Sequence, residues 1–186
     1  MLDRKELSAL YQNHVASLYS YGCKFTADRE LVKDCIHDVF VNIHKMEDVA
    51  NILDIKFYLL KSLKNRLLDE FEKVKTDNIE DEDTFSYTHG VLDENKLMDI
   101  DETDRIRKQY IEKIFEHLTK RQKEAVYLYY IEELTYDEIC KLLGMNYQSV
   151  RNTIHRALVR LREKLGNKPP DFLAIFWFFF DFFRKK

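Results

Sequence analysis

Apolar residues recur at helical spacing from Leu7 to Phe71. Ile36, Val39, Phe40 and Ile43 stand at i, i+3, i+4 and i+7, which places them on one stripe of a helix. Asp28, with Glu30 in the following turn, is the expected N-cap of that helix. A more polar stretch from Glu47 to Asp54 separates it from a second helix expected over about Ile55 to Val74. Between Lys75 and Asp104 the chain turns acidic and polar, with too little apolar content to build a core, so a flexible linker is expected there, with a short helix near Val91 to Met98. From Arg105 the helical pattern resumes, and the spacing predicts helices over about 105–117, 120–131, 136–143 and 147–165. Thr119 with Gln122 and Thr135 with Glu138 are capping boxes, in which hydroxyl and longer side chain satisfy each other's orphan backbone donors.

Composition supports the pattern. Four glycines and two prolines in 186 residues are too few turn-formers for a sandwich or a barrel. The expected fold is all-α: two small helical domains, residues 1–76 and 105–168, joined by a flexible acidic linker over 77–104, with a hydrophobic extension at 169–186. The formal charge of -3 argues at first against a nucleic-acid partner. Its distribution reverses that argument, because residues 77–104 carry a net -10 and residues 105–168 a net +6. Cys23, Cys35 and Cys140 form no CxxC pair, so neither a disulfide framework nor a zinc ribbon is expected. The charged start of the chain lacks an apolar signal core, and a reducing cytoplasm is the expected location. The aromatic run from Phe172 to Phe183, interrupted by Asp181, is shorter than the ~20 residues of a spanning helix.

The sharpest constellation lies in the second half. Two amphipathic helices, Tyr136 to Leu143 and Tyr147 to Leu165, meet at Gly144, Met145 and Asn146, the sequence form of a helix-turn-helix. Ile139, Leu142 and Leu143 on the first are expected to meet Val150, Ile154, Ala157, Leu158, Leu161 and Leu165 on the second. The opposite face of the second carries Gln148, Ser149, Arg151, Asn152, His155 and Arg156, with Arg160 and Arg162 further along. Residues 141–168 hold seven basic residues and one acid, Glu163. A recognition helix sets its first residues against base edges in the major groove, where Asn or Gln reads adenine and Arg reads guanine. The plain alternative is a helical hairpin with a solvated basic face. A capped first helix, a Gly turn, a buried stripe and an acid-poor outer face coincide here, which favours DNA.

The helix from Ile55 adds Lys56, Tyr58, Lys61, Lys64, Asn65 and Arg66. Cations interleaved with an aromatic and an amide suit single-stranded or opened DNA, and they equally suit an amphipathic helix with a basic outside. No catalytic residue, cofactor or metal is expected: the glycines at 22, 90, 144 and 166 are isolated, so no phosphate loop is present, and the histidines lack HExxH spacing.

These residues resemble a bacterial RNA polymerase sigma factor of the sigma-70 family, in the extracytoplasmic function (ECF) subgroup that has only regions 2 and 4. DCIHDVFVNIHK (Asp34 to Lys45) is similar to the region 2 pattern D-x-x-Q-[DE]-[VT]-F, with Asp34, Asp38, Val39 and Phe40 in place. FYLLKSLKNRLLDEF resembles the following helix, and the segment from Leu118 to Leu165 resembles region 4 without a gap. His37 stands where the family most often has Gln, and Tyr58 near its usual Trp.

The resemblance implies a non-enzymatic promoter-specificity subunit. The helix bearing Asp34, His37 and Asp38 would dock on the coiled coil of core RNA polymerase, its acids meeting arginines there, with Phe40 in the core. Asn51, Lys56, Tyr58, Lys61 and Asn65 would capture unstacked bases of the -10 element, and the helix from Tyr147 to Arg156 would read the -35 element of promoter DNA. The acidic linker would pass near the polymerase active centre, either as a plain tether or as an imitation of nucleic acid. An anti-sigma factor is a further expected partner. Three readings stand for the aromatic tail: a core element folded back on region 4, an anti-sigma docking surface, or a shallow membrane contact if it is exposed. The rival functions are a free-standing helix-turn-helix regulator and an adaptor acting by protein contact alone.

Overall fold

A computed structural model describes residues 3–46, 49, 52, 54–74 and 115–165. The expected linker, the short helix near 91–98, most of the helix at 105–117, the candidate Asn51 and the aromatic tail lie outside the described residues. Among the described residues the regular elements are all helices: α1 (Arg4–Gly22), α2 (Arg29–Lys45), α3 (Ile55–Val74), α4 (Lys120–Tyr130), α5 (Tyr136–Leu143) and α6 (Tyr147–Leu165). The chain divides into two compact units, Met1–Gly90 and Val91–Lys186.

In the first unit each helix starts on a carboxylate. Asp3 and Glu6 form a capping box at α1, Asp28 Oδ1 accepts from the Glu30 and Leu31 amides at α2, and Asp54 Oδ1 accepts from the Phe57 amide at α3. Such caps satisfy orphan backbone donors and contribute about 1 kcal/mol each. The three helices pack on one another. The α2 stripe buries Val32, Cys35, Ile36, Val39, Phe40 and Ile43, and α3 meets it with Leu59, Leu60, Leu63 and Leu67. Phe40 lies in this core as expected, with the edge-on ring of Tyr11 at 4.9 Å between centroids.

Gly22 ends α1 where the chain turns toward α2. A Cβ on it would stand 2.6 Å from Cγ1 of Val32, whose side chain is fully buried and stiff at χ1. The glycine is therefore set by close approach of two elements. Gly144, at the end of α5, meets nothing within 4 Å and is set instead by its left-handed backbone, φ 63° and ψ 32°.

The second unit packs α4, α5 and α6 together. Both expected capping boxes are present, at Thr119 with Gln122 and at Thr135 with Glu138. The buried set includes Phe115, Leu118, Ala125, Val126, Tyr127, Leu128, Leu134, Ile139, Leu142, Leu143, Val150, Ile154, Ala157 and Leu161. Leu158, expected in this stripe, is half-buried. Two acids are buried as well, Glu124 and Glu132; the Tyr127 hydroxyl donates to Glu132 Oε1 at 3.0 Å. Glu133 takes a left-handed φ of 56° and lets the Leu134 amide reach back to the Leu128 carbonyl at 3.0 Å, which closes the link from α4 to α5.

The two glycines should fail differently. Gly22→Ala overpacks the α1–α2 contact and should cost ~1–3 kcal/mol. Gly144→Ala should cost ~1–2 kcal/mol through backbone strain alone, and Gly144→Asn less, because Asn tolerates that conformation; urea unfolding of each variant measures the order. The thiols offer a second check. Burial pushes Cys23 up and Cys35 up to about 11, so both hold less thiolate at mildly alkaline pH, while Cys140 is half-buried. Alkylation of the folded protein followed by mass spectrometry should label Cys140 first, and Cys23 and Cys35 only after denaturant is added.

Candidate nucleic-acid interface

The candidate -35 residues are brought together on the first half of α6. Burial of Val150, Ile154 and Ala157 fixes the rotation of the helix, and the 3.6-residue period then turns Gln148, Arg151, Asn152, His155 and Arg156 outward; all five are exposed. Ser149 is half-buried, with its amide donating to Asn146 Oδ1 at 2.8 Å. Asn146 thus caps α6, a role the short turn did not advertise. Gln148 Nε2 donates to Asn152 Oδ1 at 3.1 Å, so the two amides form a pair one turn apart. Tyr147 is 51% exposed.

Arg160, expected with the outward cations, also reaches back. Its Nη1 donates to Gln122 Oε1 at 3.1 Å, and the same oxygen accepts from the Thr119 amide at 3.1 Å. The capping glutamine of α4 is in this way tied to α6.

On α3 the candidate -10 residues are only partly gathered. Tyr58, Lys61 and Asn65 follow at i, i+3 and i+7 and share a face; Lys61 and Asn65 are exposed and Tyr58 is half-buried, its hydroxyl 3.4 Å from Met46 Sδ. Lys56 is half-buried and lies about 160° around the helix from Tyr58. Lys61 Nζ sits 5.9 Å from the Phe57 ring centroid, and Lys64 Nζ 5.9 Å from that of Phe25, a geometry in which the ring quadrupole attracts the cation.

Arg66 does not share that face. Its Nε donates to Asp38 Oδ2 at 2.8 Å, and its Nη1 pairs with Glu70, which also accepts from Lys73 at 2.9 Å. The Asp38 hydrogen bond leads in raising the Arg66 pKa. Lys73 first and Arg66 second hold the Glu70 carboxyl below its usual range. Asp34, His37 and Asp38 stand on the outer face of α2 at i, i+3 and i+4; Asp34 and His37 are exposed and Asp38 is partly covered by its pairing with Arg66. Among the described residues no group of three or more His, Cys, Asp or Glu is placed to hold a metal ion, and no helix is long and apolar enough to cross a membrane.

Comparison with known proteins matches this architecture. The family model "Sigma-70, region 4" matches residues 108–161. The chain is 30% identical over 106 residues to an RNA polymerase sigma-E factor of Streptomyces avermitilis, covering 57% of this chain and 51% of that protein; the chain thus spans about half the length of that relative. It is 22% identical over 156 residues to the ECF RNA polymerase sigma factor SigM of Bacillus subtilis, covering 84% and 93% of the two chains. Two solved structures share the fold. One is the sigma factor RpoE in complex with the anti-sigma factor NepR from Bartonella quintana, with TM-score 0.58, 17% identity and coverage of 88% of this chain and 99% of that one. The other is CnrH in complex with the cytosolic domain of CnrY, with TM-score 0.56, 18% identity and coverage of 88% and 89%. The region 4 match falls on the unit that holds the capped helix-turn-helix, and the curated proteins to which the chain is similar are RNA polymerase sigma factors, SigM being one of the ECF group.

Proposed function

We propose that the chain is a promoter-specificity subunit, which binds core RNA polymerase, recognises the -35 and -10 elements and initiates transcription of a specific set of genes. The observation that carries this reading is the outer face of α6, where two paired amides, Arg151 and Arg156 stand exposed on the second helix of a capped helix-turn-helix. Its N-terminal turn presents the chemistry that reads adenine and guanine edges. In this reading Tyr147, Gln148, Ser149, Arg151, Asn152, His155 and Arg156 form the -35 set.

The first unit, residues 1–76, is the polymerase-binding and -10 domain. Asp34, His37 and Asp38 face the polymerase. Tyr58, Lys61 and Asn65, with Asn51 and Lys56, take the extruded bases of the -10 element. Extruding a base costs a few kcal/mol, and stacking with edge hydrogen bonds offsets it. Residues 77–104 are the tether, residues 105–168 the -35 domain, and residues 169–186 an extension outside the described residues. The chain has no catalytic role of its own; it works in the cytoplasm with the polymerase. The anti-sigma factor NepR, bound in one of the similar structures, supports a corresponding regulator for this chain.

Core polymerase, the full chain and promoter DNA test the reading together. Specific initiation is the expected outcome; tight duplex binding without polymerase would instead favour a free-standing regulator, and neither would favour an adaptor. Arg151→Ala should weaken discrimination at one -35 position by ~1–3 kcal/mol, measured by competition between promoter variants. On α2, Asp34→Ala should weaken polymerase binding with little change in stability. Asp38→Ala should do both, losing an additional ~0.2–1 kcal/mol of stability because Arg66 loses a partner; urea unfolding beside a polymerase-binding titration separates the two effects.

A further inference from the structure

Four tyrosine rings run in an unbroken series along one end of the second unit. Tyr130 and Tyr129 meet edge-on at 4.7 Å between centroids, Tyr129 and Tyr136 lie at 5.0 Å, and Tyr136 and Tyr147 at 5.4 Å. The last two contacts fall within the range of favourable aromatic pairs, as does the first. Each helix contributes at its terminus: Tyr129 and Tyr130 end α4, Tyr136 opens α5, and Tyr147 opens α6.

The series is not an ordinary piece of core. Tyr129, Tyr130 and Tyr136 are half-buried, and Tyr147 is exposed. Tyr147 stands at the N-terminal end of the stripe through which α6 packs, with Val150 at i+3 and Ile154 at i+7 on the same face. Tyr147 is the exposed ring of the series, and it stands where the candidate reading residues begin. Tyr147 and Arg151 are one turn apart on α6 and therefore neighbours. Burial, followed by the proximity of Tyr129 and a hydrogen bond with it, raises the Tyr136 hydroxyl, while the nearby Arg151 cation acts in the opposite direction. Tyr136 thus touches Tyr147 and lies within electrostatic reach of Arg151.

We infer that Tyr129 and Tyr136 are positioning residues for promoter discrimination: their rings, tilted against one another and in contact, hold Tyr147, and the guanidinium of Arg151 beside it, in the orientation from which the first turn of α6 meets base edges. The inference rests on the reading of α6 as the -35 helix. Aromatic rings suit this work because they are large and rigid, with only two side-chain torsions to immobilise. A reading side chain loses discrimination when its support is loose by as little as about 1 Å. Tyr129 and Tyr136 need not touch DNA; they act through Tyr147 and Arg151.

The test uses the full chain bound to core polymerase and competing promoters that differ at single -35 or -10 positions. Tyr136→Leu removes the ring at the middle of the ladder. It should reduce discrimination by about 3- to 30-fold at the -35 positions served by Tyr147 and Arg151, and leave -10 discrimination unchanged. Tyr136→Phe keeps the ring and should recover most of the loss. Tyr129→Leu, one ring further back, should give a smaller loss of the same pattern, and it serves as the test if Tyr136→Leu does not fold. A double-mutant cycle between Tyr136→Leu and Arg151→Ala should show less than additive loss. Wild-type -35 discrimination in Tyr136→Leu, equal losses at both elements, or strict additivity in the cycle overturns the inference. If Arg151→Ala loses discrimination while both leucine variants keep it, the positioning role falls and the -35 reading stands; if Arg151→Ala also leaves discrimination intact, both fall.

Discussion

The candidate reading face depends on one stripe of buried side chains. Val150, Ile154, Ala157 and Leu161 are the positions through which α6 packs on its neighbours, and their burial sets the rotation of the helix about its own axis. Once that rotation is fixed, helical geometry leaves Gln148, Arg151, Asn152, His155 and Arg156 no direction but outward. The eight residues of α5 are too few to form a stable helix alone. Its capping box at one end, the left-handed Gly144 at the other and packing on α6 therefore act together. Gly144 redirects the chain, and the Asn146 side chain satisfies one orphan amide, that of Ser149, in the helix that follows.

The first unit solves a different problem. Its helices carry charge on faces that must stay wet and apolar stripes that must not, and at the boundary between the two an ion pair joins α2 and α3. Arg66 sits on that boundary between Asp38 and Glu70. With side-chain exposures of 29% for Arg66 and 44% for Asp38, the pair is solvent-screened, so its value lies more in orientation than in stability. It divides the cations of α3 into two sets: Arg66 serves the helix packing, while Lys61 lies on the face shared with Tyr58 and Asn65. Asp38 in turn serves two masters, an internal partner and the candidate polymerase face.

Much of this was legible along the chain. The starts of α2, α4 and α5 and the end of α5 follow from Asp28, the two capping boxes and Gly144, because a cap is a local event between residues two or three apart in sequence. Among the stripe residues whose side chains are described, which leaves out Leu165, Leu158 is the exception to the spacing: a residue at the margin of the stripe is buried only as far as its neighbours reach. Lys56 and Arg66 were grouped with the other basic residues of α3 by composition, and helical geometry together with the Asp38 contact separates them. The buried Glu124 and Glu132 could not be anticipated, since an acid in an exposed-looking pattern is buried only where a partner such as the Tyr127 hydroxyl reaches it.

The sequence alone determined the all-helical class, the separation of a basic C-terminal block from an acidic segment, and the resemblance to sigma factors. Each of these depends on period, composition or short-range chemistry, which the order of residues already contains. Tertiary structure decided which polar groups are available. Arg160 turns back to Gln122, Arg66 to Asp38 and Glu70, and tyrosines from three helices converge beside the first turn of α6. Those pairings join residues from different helices, and only packing brings them within the few ångströms over which hydrogen bonds and ring contacts act.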